Sequence, residues 1–502
     1  MQTTPEHTDY KVLYEDLQIK YTSLLLEMAH LKKMMYGSKH ERFIPSQNNP
    51  AQLTLDVQAE QTLQCRITDA KKITYTRVQS DVIVNKEHPG RMKLPAHLER
   101  REIIIQPAED TTGCKKIGEE ITEELEYEPG NLYVNKMVRP KYAKPDNGGI
   151  VTAPMPERPL PKAIAGAGLL AQIVIDKYAD HLPLYRQAER FKREGIQIPY
   201  STITDWVSGT CALITPLYNA LKELILKSSY LHADESPIKV LDKNKKGETH
   251  KGFFWVYHNS IEGMVLFDYR PGRGREGPEE ILKNFKGHLQ TDGYPLYDFF
   301  KQKEDITVLH CMAHARRHFY DALENDKPRA EQALAQFGLL YAIERKATQE
   351  SLSAENKMQL RQKEALPILQ NFEQWMKQEY IKVPPKSAIA KALQYSIGRW
   401  AELKIYTTDG KLNIDNNPVE NSIRPVAIGR KNYLFAGSHE AAQRSAVLYS
   451  LIGTCKLHTV NPFIWLRDVL QRIPAYPINK INDLLPQNWS PLPAETQQCT
   501  LP

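Results

Sequence analysis

Residues 288–298 read HLQTDGYPLYD, an apolar, strand-like run that ends on Asp292 and is stopped by Gly293 and Pro295. Upstream, residues 232–242 read HADESPIKVLD, in which Asp234 ends the apolar run Leu231 to Ala233. Downstream, residues 415–425 read DNNPVENSIRP, in which Glu420 opens a basic, helix-like stretch. If the first two strands are sheet neighbours, both aspartates emerge near one edge. Two carboxylates held that close repel unless a cation lies between them. Mg²⁺ favours one or two carboxylates with phosphate oxygens and water, so a third acid on a nearby helix points to a two-ion phosphodiester site.

Each acid also has an ordinary explanation. Asp234 could pair with a lysine or cap a turn, and Asp292-Gly293 is a common turn dipeptide. Asn417, Pro418 and Glu420 spell a helix start, with Asn as N-cap and Glu in capping-box position.

The pattern around the acids sets the expected fold. Strand-like runs at Tyr230 to Ala233, Gly252 to Asn259 and Met264 to Tyr269 precede a helix near Pro278 to Phe285. A strand into Asp292, a helix, a strand at Ile306 to Leu309 and a helix from His314 follow. A three-strand meander followed by alternating helix and strand is the order of a ribonuclease H-like sheet. Residues 325–400 are helical in pattern, with Leu334, Phe337, Leu340 and Tyr341 at helix spacing, and form an insertion between the second and third acids.

Length and composition bound the rest. A chain of 502 residues suggests about three domains, and 41% apolar residues suffice for real cores. The net charge of +6 is mild, so the placement of basic residues matters more than their number. The six cysteines, Cys65, Cys114, Cys211, Cys311, Cys455 and Cys499, form no CxxC pair, which excludes a visible disulfide framework or cysteine zinc cage. The longest nearly apolar run, Ala163 to Ile175, is too short to span a bilayer. A reduced, soluble, cytoplasmic protein is expected.

Outside the acids, residues 1–45 carry a heptad with Tyr14, Tyr21, Met28 and Met35 at one seam position and Tyr10, Leu17, Leu24 and Leu31 at the other. Such a seam needs a partner, and the reading favours a coiled coil that makes the chain a homo-oligomer over a helix packed on its own domain. Residues 46–95 read as a linker, 96–160 as a small β-rich module, 161–228 as a helix-turn-helix, 229–440 as the core with its insertion, 441–480 as a C-terminal helical segment and 481–502 as a tail. The whole is a multidomain α+β protein. In the helix-turn-helix, helices are expected at Leu169 to Tyr178, Leu182 to Lys192 and Ser201 to Leu213, and the chain beyond Pro474 is expected to be irregular.

Basic residues suited to a phosphate backbone are Arg186, Arg190 and Arg193 on the helix-turn-helix, and Arg273 and Arg275 in a glycine loop. Arg424, Arg430 and Lys431 follow Glu420. His314 and Arg317 are read as lining the site, with Cys311 packed at a strand end. Cys311 and His314 are zinc-ligand types, but no second pair stands nearby and a structural zinc takes four ligands.

HADESPIKVLD, LQTDGYPLYD, HCMAHARRHFYDA, IDNNPVENSIRPVAIGRKNYLFAGS and SLIGTCKLHTVNPFIWLRDVL resemble the successive blocks of the large transposase of bacterial insertion-sequence family sixty-six. KYADHLPLYRQAERF with STITDWV resembles its helix-turn-helix, and LKKMMYGSKHERF the end of its coil. The resemblance implies a DDE recombinase whose triad matches Asp234, Asp292 and Glu420, using Mg²⁺ or Mn²⁺, two ions in all. It implies DNA as substrate, with element ends and target both bound, strand cleavage followed by strand transfer, and accessory transposition proteins among the candidate partners. The Cys311-x-x-His314 string resembles a signature found after the second aspartate in several such enzymes. Paired cysteines that family members carry before the helix-turn-helix are reduced here to Cys114, so zinc is not expected there. Two rival readings are a non-catalytic, transposase-derived DNA-binding protein and a ribonuclease H-like nuclease that only hydrolyses.

Overall fold

The computed structural model describes residues 157–161, 163–242 and 248–491, two short strands at 141–143 and 150–152, and positions 130 and 132. The expected coil at 1–45, the linker at 46–95, most of the β-rich module and the end of the tail lie outside the described residues. Of that module, β1 (Lys141–Ala143) and β2 (Ile150–Thr152) pair antiparallel, with Tyr142 opposite Val151.

Three helices follow: α1 (Ala167–Tyr178), α2 (Leu184–Arg193) and α3 (Tyr200–Leu226). Their starts agree with the sequence reading to within two residues, but α3 runs thirteen residues past the expected end at Leu213. Its buried stripe, Ile203, Val207, Ile214, Leu217, Leu221 and Ile225, keeps helical period straight through Pro216. Each such side chain contributes about 1.5–3 kcal/mol relative to exposure, which outweighs the single hydrogen bond a proline removes. The far half of α3 therefore packs on the main sheet, where the Tyr218 hydroxyl donates to the Phe267 carbonyl at 2.9 Å. Helices α1 to α3 and the sheet share one hydrophobic cluster.

That sheet has five strands, β3 (Tyr230–Leu241), β4 (Thr249–Asn259), β5 (Met264–Arg270), β6 (Gly287–Thr291) and β7 (Ile306–His310), in the order β5-β4-β3-β6-β7. The β3-β4-β5 meander is antiparallel, whereas β6 joins β3, and β7 joins β6, in parallel. A short helix α4 (Glu276–Ile281) precedes β6, and a 3-10 segment at Pro295–Gln302 stands where a helix is expected after Asp292. Asp234 does not end its strand, as the sequence suggested; β3 continues eight residues past Ala233, through Pro237, to Leu241. Beyond His232 the strand has β4 on one side and no strand on the other, a position that tolerates proline.

The insertion comprises α5 (Met312–Asp321), which leads into it, then α6 (Lys327–Gln349), α7 (Ala354–Leu360), α8 (Leu366–Tyr380), α9 (Ala388–Ile397) and α10 (Trp400–Lys404). These helices build a second hydrophobic cluster, in which Phe372 meets Phe337 edge-on at 5.1 Å and Trp400 at 5.4 Å. Within it the fully buried Arg361 guanidinium binds Glu344 twice at 2.8 Å and the carbonyls of Tyr406, Asp409 and Leu412 at 2.7–2.9 Å.

The chain returns to the sheet as α11 (Asn417–Tyr433), α12 (His439–Leu457) and α13 (Pro462–Arg472). Helix α12 covers edge strand β5, whose outward N–H groups donate to side chains on the helix: Phe267 to Ser450 at 2.8 Å and Val265 to Thr454 at 3.3 Å. Gly453 permits that approach, since a Cβ there would lie 2.6 Å from Val265 Cγ1. The described residues beyond Pro474 are not irregular throughout. They form 3-10 turns that bury Leu484 and Leu485, and the Trp465 and Trp489 indoles donate to the Leu484 carbonyl at 2.9 Å and to Asp468 at 2.7 Å.

Candidate carboxylate site

Parallel register between β3 and β6 pairs His232 with Gln290; continued two residues, it brings Asp234, within β3, opposite Asp292, which follows the end of β6, and the Asp292 charge acts on Asp234. Asp292 leaves β6 in a tight turn: its carboxylate accepts the Tyr294 N–H at 2.8 Å, and Gly293 takes φ +86°. A Cβ at Gly293 would meet Tyr395 Oη at 2.7 Å, so the close contact with the insertion depends on glycine. Tyr395 donates its hydroxyl to the Asp292 carbonyl at 2.7 Å, and Arg399 donates to the Gly293 carbonyl at 3.1–3.2 Å. Asp292 is thus an ordinary turn residue as well as a candidate site residue.

Glu420 arrives on the first turn of α11, and a buried polar network fixes where that turn sits. The N-cap is Asn416, one residue earlier than the sequence suggested, and its side chain caps nothing. Instead Asn416 Nδ2 donates to the Ala233 carbonyl at 3.0 Å, directly beside Asp234. Its Oδ1 lies 3.0 Å from His232 Nδ1 and must accept, which assigns the proton to Nδ1. His232 Nε2 then accepts from Asn413 at 3.1 Å and from Ser260 at 3.0 Å. The Asn416 N–H donates to Cys311 Sγ at 3.1 Å, and one turn along α11 Ser422 meets His258 Nδ1 at 3.0 Å. Burial lowers His232 to about 3 and His258 to about 4, so both rings are neutral hydrogen-bonding parts at neutral pH.

Electrostatics place the three acids in one field. The Asp234 carboxyl is raised well above the usual range by burial first, then by Glu235, Asp292 and Glu420. Glu235, which the sequence reading passed over, is also raised by burial, against the opposing pull of Arg273. Its side chain is 4% exposed, ion-paired with Arg273 and 3.4 Å from the Tyr297 hydroxyl. The adjacency in HADESP was the available signal. Strand alternation, however, would send neighbouring residues to opposite faces, so only the fold could show that both acids are drawn partly out of solvent.

Several candidate phosphate contacts are engaged within the chain. Arg273 is folded onto Glu235 and lies 4.1 Å over the Tyr294 ring; Arg275 pairs with Glu279 at 3.3 Å and covers Phe299 at 4.5 Å. Arg190 pairs with Asp176, and Arg430 is half-buried with its guanidinium on the Pro237 carbonyl. Arg186, Arg193, Arg317, Arg424 and Lys431 are exposed. His314 Nδ1 lies 3.7 Å from Glu420 Oε1. No helix among the described residues is long and apolar enough to cross a membrane.

Comparison with known proteins adds an independent line. Residues 162–444 match the family described as "Transposase IS66 family", residues 450–487 the "IS66 C-terminal element", and residues 23–103 the "Transposase C of IS166 homeodomain". The last match crosses the segment read as a linker. Among curated relatives, "Uncharacterized protein y4hP" of Sinorhizobium fredii (strain NBRC 101917 / NGR234) is 30% identical over 94% of this chain and 90% of its own length. From the same organism, "Uncharacterized protein y4jD" is 30% identical over 95% of this chain and 96% of its own length. "Uncharacterized protein y4qI" is 33% identical over 80% of this chain and 78% of its own length. No solved structure matches. With a family match that spans the carboxylate site and relatives aligned along nearly the whole chain, the protein belongs to the IS66 family of transposases.

Proposed function

We propose that the chain cuts the ends of its insertion sequence and joins them to target DNA at a DDE site formed by Asp234, Asp292 and Glu420. The observation that carries this reading is the register of β3 on β6, which, continued two residues past His232 and Gln290, leads to Asp234 and Asp292, while Asn416 ties the start of the Glu420 helix to the Ala233 carbonyl. The strand order, an antiparallel meander flanked by two parallel strands, supports a ribonuclease H-like core. The acids also fit divalent ions: neither Asp234 nor Asp292 has a lysine or arginine ion-pair partner among the described residues, and Asp234 is raised by burial first, with the charges of Glu235, Asp292 and Glu420 adding to it.

Mg²⁺ or Mn²⁺ ions, when bound, would supply charge stabilisation at the attacking and leaving oxygens of a phosphodiester. Asp234 and Asp292 would hold them from adjacent strands, and Glu420 from the helix. In the first step water attacks the phosphorus at the element end, and the bond to the 3′ oxygen breaks to leave a 3′ hydroxyl. In the second that hydroxyl attacks a target phosphodiester, forming one P–O bond as another breaks, so no external energy is needed. Exposed Arg317, Arg424 and Lys431 would contact phosphates near the acids, and Arg186 and Arg193 would do so on the α1–α3 module.

Incubation of the full chain with element-end duplex, target DNA and Mg²⁺ tests the reading. Cleaved ends and joined strands are expected from the natural protein and neither from Asp292→Asn. Cleavage without joined product would favour a hydrolytic nuclease, and tight DNA binding without cleavage in Mg²⁺ or Mn²⁺ would favour a non-catalytic binder.

A further inference from the structure

Beside the carboxylate site lies a second constellation that the two-aspartate arrangement does not use. Cys311 caps the start of α5, His314 follows one turn later, and Glu420 faces them from α11. One ligand atom from each, a sulfur, a ring nitrogen and a carboxylate oxygen, lies within 4.8 Å of the others. His314 Nδ1 is buried with no hydrogen-bond partner, 3.7 Å from Glu420 Oε1. Cys311 Sγ accepts the Asn416 N–H at 3.1 Å, a hydrogen bond that would steady a metal-bound thiolate. From sequence, the Cys311-x-x-His314 pair lacked further ligands; the fold brings one from over a hundred residues away.

We propose that Cys311, His314 and Glu420 form a binding site for a soft divalent ion of the zinc class, and that occupancy of this site inhibits the enzyme by taking Glu420 from the aspartates. The inhibitory half rests on the assignment of Glu420 to the triad; the binding half does not. Sulfur with imidazole selects Zn²⁺ over Mg²⁺, which takes oxygen ligands. Zinc–ligand bonds of about 2.0–2.3 Å require the three atoms to close to within roughly 4 Å of one another, a small side-chain rotation from their present separation. Three protein ligands leave the fourth tetrahedral position to water or a DNA phosphate oxygen. On binding, the Cys311 thiol proton passes to solvent, one per ion.

Co²⁺ reports this site by spectroscopy, because a cobalt–thiolate bond gives a charge-transfer band that oxygen and nitrogen ligands do not. Titration of the full chain with Co²⁺ should produce that band, and Zn²⁺ should displace it. Cys311→Ser should abolish it, and His314→Ala should weaken Co²⁺ binding by at least about 10–100-fold, the range produced by loss of a group that merely hydrogen-bonds to a metal ligand. Asp292→Ala, which removes the proposed catalytic acid, should keep the band. An undiminished band in Cys311→Ser, or in His314→Ala, would overturn the site whatever the protein does to DNA. Where joining activity is present, Zn²⁺ added over saturating Mg²⁺ should suppress it, and the activity that Cys311→Ser retains should resist. Band formation with equal zinc sensitivity in both proteins would overturn the inhibitory half.

Discussion

The hydroxyl of Tyr395, on the last turn of α9, donates to the backbone carbonyl of Asp292 at 2.7 Å. Arg399 adds donors to the next carbonyl, that of Gly293. The insertion therefore grips the turn that presents the second aspartate, and it does so without touching the carboxylate oxygens.

Tyr395→Phe should act as a positioning change. Loss of one neutral hydrogen bond costs about 1 kcal/mol, so the melting temperature should fall by only a few degrees. Misplacement of a reacting group can cost far more in rate, and strand joining should drop by about tenfold or more. The check is joining rate at saturating DNA beside thermal unfolding. A loss of stability with an unchanged rate would assign Tyr395 to packing alone.

Asp234→Asn should stabilise the protein in chelator while abolishing its chemistry. The Asp234 carboxyl is raised by burial, Glu235, Asp292 and Glu420, so the folded state holds a proton that the unfolded state releases. The associated stability is present at low pH and lost as pH rises through the raised folded value. At neutral pH the charged cluster opposes folding, and the amide relieves it, with about 2–4 °C expected for each kcal/mol recovered. Mg²⁺ at 100 times its Kd should add about 2.7 kcal/mol to the natural protein and far less to the variant. Melting curves with and without Mg²⁺ decide it; a variant less stable in chelator would contradict the repulsion argument.

The local settings of Asp292 and Glu420 were readable because strand ends and helix starts carry short-range signals: Thr291-Asp292-Gly293 is a strand followed by a turn, and Pro418 to Glu420 is a helix start. The extent of β3 was not readable, because Glu235, Ser236 and Pro237 look like a turn; their pairing with Trp255, Phe254 and Phe253 of β4 makes them strand, and the absence of a β6 partner beyond His232 lets the proline stay. Asn416 carries no local signal that sets it apart from Asn417, the residue read as the cap. Its real partners, the Ala233 carbonyl, His232 and Cys311, come from elements distant along the chain, and no local spacing encodes them. Which basic residues have partners within the chain was unreadable for the same reason: that Arg190 meets Asp176, Arg273 meets Glu235 and Arg430 meets the Pro237 carbonyl depends on tertiary placement.

Acid should loosen the fold around the site. Burial lowers His232 to about 3, His258 to about 4 and His310 to about 4, against 6.5 for the unfolded chain. Between those values the unfolded state binds more protons, so the stability these rings contribute is full above pH 6.5 and is lost as pH falls toward 4. Each ring adds up to about 1.4 kcal/mol per pH unit across that window. The raised Asp234 and Glu235 act in the opposite direction, so the net slope alone does not isolate the histidines. Urea unfolding of His258→Gln should show a shallower decline between pH 6.5 and 5 than the natural protein; parallel curves would remove His258 from the effect.

Arg361→Met should destabilise the insertion by about 3–5 kcal/mol, because Glu344 would remain in the interior without its cation. Lys357, 3.2 Å from Glu344, recovers part of that charge balance and sets the lower end of the range. The double variant Arg361→Met with Glu344→Leu removes both buried charges and should regain most of the loss, since burying an ion pair rarely gains over apolar packing. The three carbonyls of Tyr406, Asp409 and Leu412 lose their donor in either case and keep the recovery incomplete. Because Tyr395 and Arg399 hang from this same helical cluster, the single variant should also release the Asp292 turn, and joining should fall before global unfolding begins. Hydrogen exchange at Gly293 and Tyr294 reads that release directly; protection there unchanged in Arg361→Met would show that the insertion's stability and the geometry of the acid turn are uncoupled.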